Sequence, residues 1–378
     1  MDYNEVYWIY IVGALGYGNY KVKSILEQYQ NAKDFYDKPN SLKYCSFLTP
    51  NNIESLKCRD LRKSYEIVKQ CDKLGYEILT IENPQYPEKL KNISNPPAVL
   101  YLKGDLPDTN ENLSISIVGT RSSTPYGEKV SFELGYKLAR AGTVVVSGAA
   151  LGIDSISQKG AMQAKGKTIA VLGCGLNVDY LIKNKELREE IANNGALVSE
   201  YPPGYRGASW TFPMRNRIIS GLSDGTLVVE AGERSGSLIT ANLALEQNRD
   251  LFAVPGNINS SISYGTNKLI KICAKPVTCA EDILEEYYHL YPYLKKPFNE
   301  DLISGKIIEE ENKEIPKLPE NLSVRAKKTF KVLTDQPEYI DKISELTNMN
   351  ISDVLQSITE LELYELIKTH SGKRYSKP

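Results

Sequence analysis

The residues best suited to chemistry are glycine- and serine-rich turns that carry arginines. In Ser116-Ile-Val-Gly-Thr-Arg-Ser-Ser-Thr-Pro-Tyr-Gly127 an apolar run ends at Gly119, and Thr120, Arg121 and Ser122 precede a helical pattern. Backbone amides and hydroxyls at a helix entry suit an anion, and an arginine fork grips phosphate in a bidentate manner. A plain strand–helix turn uses the same residues, so this loop alone admits both readings. A second turn runs from Ser147 through Gly148 to Asp154, where Asp154 is placed to cap the next helix. A third, Gly173-Cys-Gly-Leu, leads to Asp179–Asn184 and supplies Lys183. In Phe212-Pro-Met-Arg-Asn-Arg, Arg215 and Arg217 flank Asn216 at a helix opening, directly after Trp210 and Phe212. Aromatic faces beside guanidinium groups suit a single strand, stacking bases while cations track phosphates. Ion pairs of Arg215 and Arg217 with Glu200 and Glu230 are the structural alternative. A fifth turn offers Ser235, Gly236 and Ser237 as a phosphate cradle. Such turns on one edge suggest an extended phosphate track rather than a single nucleotide pocket.

Other chemistries fit poorly. The chain has 2 histidines, His289 and His370, both outside the glycine-rich middle, which argues against a Ser-His-Asp or Cys-His hydrolase and a His-ligated metal there. Its 6 cysteines form no Cys-x-x-Cys pair and read as reduced, small apolar residues. Neither a dinucleotide fingerprint nor a Walker A loop is present. No apolar run is long enough for a bilayer, and Met1–Val12 lacks the pattern of a signal peptide, so a cytoplasmic location is expected. With net charge −1, nucleic-acid binding has to use a local basic patch.

The elements that position these turns follow from periodicity. Residues 1–80 are helical in pattern around Gly13-Ala-Leu-Gly-Tyr-Gly18. That is the shape of a helix-hairpin-helix, whose turn amides hold a phosphate; alternatively Gly16 and Gly18 let two helices pack. Residues 81–292 alternate short apolar strands (115–118, 143–147, 168–172, 196–199, 226–230, 251–254) with helices at 127–140, 153–164, 185–193, 215–222 and 237–246. This alternation predicts an α/β fold: a doubly wound, mostly parallel, extended Rossmann-like sheet with ligands at the carboxyl ends of the strands. Residues 293–320, rich in Lys, Glu and Pro, read as a linker. Residues 321–378 carry three helical patterns and a terminal hairpin turning at Ser371-Gly372, which predicts a winged-helix domain.

The ordered turns resemble the DNA-processing protein A (DprA/Smf) family. The resemblance rests on Pro96-Pro-Ala-Val-Leu-Tyr-Leu-Lys-Gly104, Ile117-Val-Gly-Thr-Arg121, Val146–Asp154, Phe212–Ile219, Ser235–Ala241 and Phe252-Ala-Val-Pro-Gly256, in family order over a little more than half the chain. It implies a non-enzymatic, cofactor-free Rossmann core that binds single-stranded DNA, forms a homodimer and loads the RecA recombinase in natural transformation and DNA recombination. It further implies an N-terminal sterile-alpha-motif or helix-hairpin-helix domain and a C-terminal winged helix. By motif position Arg121 is the main DNA-contacting residue and Phe212 the aromatic of the binding pocket, beside Ser235–Ser237. The chain departs from relatives at Ser157-Gln158, at Tyr180-Leu181-Ile182, which shifts a basic contact to Lys183, and at Ser209. Two further readings stand beside this one. One is a nucleotide enzyme or sensor of the phosphoribohydrolase-like group, with Glu230 as its acid. The other is a duplex-DNA regulator acting through the winged helix.

Overall fold

The computed structural model describes residues 4–18, 21–180, 182–295, 322–334, 338–364, 366–370 and 374–377. The chain divides into two compact units, Met1–Lys296 and Pro297–Pro378.

In the first unit, α1 (Asn4–Leu15), α2 (Lys21–Gln28), α3 (Ala32–Asp37), α4 (Pro50–Lys57) and α5 (Arg62–Leu74) precede the sheet. Their apolar faces (Trp8, Ile11, Ile25, Phe35) join one core with Leu79, Leu100 and Tyr101 of the sheet. The strands are β1 (Glu77–Thr80), β2 (Val99–Gly104), β3 (Ser114–Val118), β4 (Val144–Ser147), β5 (Thr168–Leu172), β6 (Ala196–Ser199), β7 (Gly225–Val228), β8 (Asp250–Ala253) and β9 (Lys275–Pro276). They form one 9-stranded sheet in the order β1-β2-β6-β5-β4-β3-β7-β8-β9. From β6 to β9 every neighbouring pair is parallel, whereas β1–β2 and β2–β6 are antiparallel. Strands β3 through β7 are buried along their whole length, as β-branched runs covered by helices on both faces must be. The expected doubly wound, mostly parallel α/β sheet is therefore present.

The sequence reading began its strands at Ile115 and did not include β1, β2 or β9, which lie at the two sides of the sheet. The first two pair antiparallel outside the β-α alternation, so that alternation carries no sign of them. The six central strands and their helices fall within a few residues of expectation. The largest displacement is α10, which spans Thr211–Gly221 and so starts one turn early, placing Phe212 in its first turn.

The connections fix where a ligand can sit. The chain steps outward from β3 to β4, β5 and β6, then returns to β7 on the other side of β3. In register, Val118 lies opposite Val228, and the Ser116 and Thr226 hydroxyls meet at 2.7 Å. The strand order thus reverses at β3, and the connections beyond the carboxyl ends diverge there to leave a crevice. Helices α7 (Pro125–Arg140), α8 (Ile153–Gln163) and α11 (Ser237–Glu246) all start at this edge, as does α10.

The second unit contains α14 (Val324–Val332), α15 (Ile340–Thr347), α16 (Ile351–Leu363) and a small sheet of β10 (Glu338–Tyr339), β12 (Arg374–Ser376) and β11 (Lys368–His370). Phe330, Ile343, Val354, Ile358 and Leu361 form its core. Helix α16 bears Asp353, Glu360 and Glu362 and no lysine or arginine, a poor match to a phosphate-lined groove. The expected hairpin turn at Ser371-Gly372, and the expected linker beyond Lys295, lie outside the described residues. Among the described residues no helix is long and apolar enough to cross a membrane, and no group of three or more His, Cys, Asp or Glu could hold a metal ion.

Candidate nucleic-acid interface

The loop after β3 carries Gly119 to Thr124 along the crevice. The Thr120 amide donates to the Glu230 carbonyl (2.8 Å), and the Ile153 amide donates to the Thr120 carbonyl (3.2 Å). These bonds pin the loop between β7 and α8 while leaving Arg121 exposed. Among the described residues the Arg121 guanidinium makes no hydrogen bond or ion pair. The Ser122 side chain points to solvent, and its amide donates to the Thr120 hydroxyl (3.2 Å).

Beneath Arg121 lies a basic floor. Arg215, on the second turn of α10, is 5% exposed and donates to the carbonyls of Gly148 (3.0 Å) and Val171 and to the Asn216 amide oxygen (3.2 Å). Its approach requires a glycine at 148, since a Cβ there would meet Arg215 Nη2 at 2.6 Å and Asp154 Oδ2 at 2.7 Å. Asp154 accepts from the Gly148 amide (3.2 Å). Burial pushes the Asp154 carboxyl above its ordinary range, against the pull of Arg215 and of nearby amides. Burial likewise lowers Arg215, with Asp154 holding it up. Arg188, also buried, donates to the Tyr180 carbonyl. Asn184 donates to the Ala149 carbonyl (3.0 Å), which ties the exposed Lys183 turn to the β4 loop. Ala149 sits at φ +48, a left-handed conformation that L side chains rarely hold without surrounding support.

An aromatic wall closes one side. Phe212 is half-buried and stacks on Tyr180 at 4.6 Å and 29°. On the far side of the cleft, Gly236 is exposed and the Ser235 and Ser237 hydroxyls are 2.8 Å apart at the start of α11. The cleft has a volume of about 230 Å³ and is lined by Gly119, Arg121, Phe212, Arg215, Asn216 and Ser235–Ser237, with Asp154 at its base. A narrower cavity beside it is lined by Arg121, Gly148, Tyr180, Arg188 and Arg215.

The structure thus brings together most of the residues singled out from sequence and separates a few. Thr120 lines the neighbouring groove rather than the main cleft, and the exposed Lys183 lines neither the main cleft nor the narrower cavity. Arg217 is turned away. It is 5% exposed, and its fork closes on Glu200 through Nη1–Oε1 (2.9 Å) and Nη2–Oε2 (2.7 Å) while Nε donates to the Asn95 carbonyl (3.0 Å). Of the two pairs the sequence allowed, this one forms, and it leaves no donor fork for a phosphate. Glu230 is engaged too: it accepts from the Thr124 amide (3.0 Å) and hydroxyl, so it braces the β3–α7 turn instead of facing the cleft. Arg188, Tyr180 and Asn184 were absent from the sequence-derived set. Tyr180 and Asn184 lie in the loop after β5, and Arg188 on the helix that follows it.

The N-terminal glycine turn also serves packing. Gly18, at φ +71, lies where a Cβ would meet the Met214 methyl of α10 at 2.5 Å. Tyr17 packs on Tyr201 (5.1 Å) and Tyr205 (5.1 Å), and Asn95 donates to the Gly18 carbonyl (2.7 Å).

With this geometry in place, the sequence matches the family described as DNA recombination-mediator protein A over residues 77–288, more than half of the chain. The chain belongs to that family. The matched segment contains every residue of the cleft described above. The DNA processing protein DprA of Bacillus subtilis is 46% identical over 59% of this chain and 75% of its own length. The X-ray structure of DprA from Streptococcus pneumoniae superposes with a TM-score of 0.66 at 35% identity, covering 74% of this chain and 97% of that one. DprA from Helicobacter pylori, described for its single-stranded DNA binding mode, superposes with a TM-score of 0.52 at 34% identity, covering 57% of this chain and 96% of that one.

Proposed function

We propose that this chain is a non-catalytic, cytoplasmic recombination mediator that binds single-stranded DNA along the carboxyl edge of its sheet. The observation that carries this reading is Arg121: an exposed, unengaged guanidinium at a cleft whose wall is the Phe212–Tyr180 stack and whose floor holds Arg215 and Arg188. An unpaired cation beside a partly exposed aromatic ring suits the phosphates and bases of an unpaired strand, since a duplex hides its base faces. The relative from Helicobacter pylori, described for its single-stranded DNA binding, lends further support.

In this reading Arg121 grips a phosphate, Phe212 carries a base, and Ser235, Gly236 and Ser237 receive the next phosphate at the start of α11. Gly119, Asn216 and Gly148 shape the surface, Lys183 adds charge at the rim, and Thr120 and Ser122 line the approach. Arg217 drops out of the contact set because Glu200 holds it. The nucleotide-enzyme reading loses its acid, because the Glu230 carboxylate is held by Thr124. We further propose that the protein acts as a homodimer and hands the strand to RecA in natural transformation and DNA recombination. Residues 1–80, 81–292 and 321–378 would serve as a helical domain, the binding core and a winged helix, with 293–320 as linker.

Fluorescence anisotropy of labelled oligo-dT, with duplex and free nucleotides as competitors, tests the central reading. Preference for the single strand, weakening with salt, is the expected result. Displacement by a mononucleotide without strand binding would reject it. Sedimentation at micromolar concentration checks the dimer, and a RecA filament-assembly assay on coated strands checks the hand-over.

A further inference from the structure

Next to the main cleft the same edge carries a second, wider groove of about 490 Å³. Thr120, Gly232, Arg234, Ser235, Ser261 and Tyr264 line it, together with Glu233 and Ile262. The two depressions share Ser235, so they are successive stations along one edge, the first at β3–β4 and the second at β7–β8. Tyr264 opens helix α12 (Tyr264–Ile272) and is 51% exposed. Its backbone is firmly held, because the Gly265 amide donates to the Ala231 carbonyl (2.7 Å). Among the described residues its ring has no aromatic partner and its hydroxyl no hydrogen bond. Arg234 is exposed and is likewise unpaired there.

We propose that this groove is a second nucleotide subsite on the same strand path, with a base lying on the Tyr264 ring and its phosphate beside Arg234. The inference rests on the single-strand reading above and extends it. An aromatic ring with an unengaged guanidinium nearby is the pairing that the main cleft also offers, through Phe212 and Arg121. Two strand spacings separate β3 from β8, about 10 Å, or roughly the axial length of three stacked nucleotides. Glu233 offsets the charge of Arg234 in this groove. Stacking on Tyr264 therefore supplies more of the affinity than phosphate attraction does, and loss of its ring leaves the salt slope unchanged.

The test compares oligo-dT of about 4 and about 12 nucleotides on the full chain, a span that covers common single-strand site sizes. Tyr264→Ala should weaken the long oligonucleotide about 10-fold, within the range of one lost stacking contact, and leave the short one unchanged. Tyr264→Phe should bind both as the parent does, because the ring face and not the hydroxyl is used. Equal loss on both lengths, no loss on either, or a Phe variant that behaves like Ala would overturn the subsite. If Tyr264→Ala melts early, Arg234→Gln in the exposed loop replaces it: a several-fold loss confined to the long oligonucleotide supports the subsite, and unchanged binding rejects it. A parent protein that binds neither length removes the single-strand reading itself, and the subsite with it.

Discussion

The two ends of the central sheet treat charge in opposite ways. At the amino end, Lys89 donates to Asp224 (2.6 Å), to the Tyr291 hydroxyl (3.0 Å) and to Ser114 Oγ (3.3 Å). Asp224 also accepts from the Ser114 amide (2.9 Å), and Arg249 donates to the Lys89 carbonyl (2.8 Å). Burial lowers the Lys89 ammonium, and Asp224 holds it up. At the carboxyl end Arg121 makes no hydrogen bond or ion pair among the described residues, and Arg215 and Arg188 spend their donors largely on backbone carbonyls, with the buried Asp154 as the one nearby carboxylate that holds Arg215 up. A buried charge that is paired and hydrogen-bonded holds strands in place; a cation left without a carboxylate is stabilised only when an anion arrives. On the reading proposed above, the amino end serves the fold and the carboxyl end serves a ligand.

Four measurements test or sharpen that contrast. Arg217 stands at the carboxyl end yet is paired, so it should behave like the amino-end residues. Arg217→Ala should cost about 3–5 kcal/mol of stability by stranding Glu200, read from denaturant midpoints, and a loss of strand affinity at full stability would break the contrast. Lys89→Ala should cost about 2–3 kcal/mol, less because Ser114 and Tyr291 still satisfy Asp224, and should leave strand binding intact. Arg121→Ala should do the reverse: strand affinity falls by about 1.5–3 kcal/mol, the value of a charged hydrogen bond, with stability within about 0.5 kcal/mol of the parent. Smallest is the salt dependence, whose log–log slope should become shallower by about 0.7 in Arg121→Ala, one phosphate contact fewer.

How much of this was legible in the sequence depends on how local each feature is. Strands such as Thr168–Leu172 and Ala196–Ser199, and helix Ser237–Glu246, were placed to the residue because short, largely apolar stretches bounded by turn residues define them locally. The edge pair Glu77–Thr80 and Val99–Gly104 was not, because its antiparallel pairing breaks the β-α rhythm. The cleft followed the same division. Gly119, Arg121 and Ser235 sit in turns after strands, which sequence marks clearly, and Phe212 lies next to the conspicuous Arg-Asn-Arg run. Arg188 reaches the floor from the first turn of a helix whose charges look like an ordinary solvated face. The choice between phosphate and Glu200 for Arg217 depended on a contact 17 residues away, and the sequence left it open.

The Gly18 turn seated on α10 bears on how this protein can be handled. The segment shared across the family begins at residue 77, and a fragment cut there would look like a natural unit. Such a fragment would uncover Leu79, Leu100 and Tyr201, side chains that are at most 1% exposed in the intact chain. It would also remove the wedge against Met214 that holds the helix carrying Phe212. The shortened protein would then tend to aggregate through its bared apolar surface, and weak strand binding by it would be mistaken for evidence against the proposed cleft.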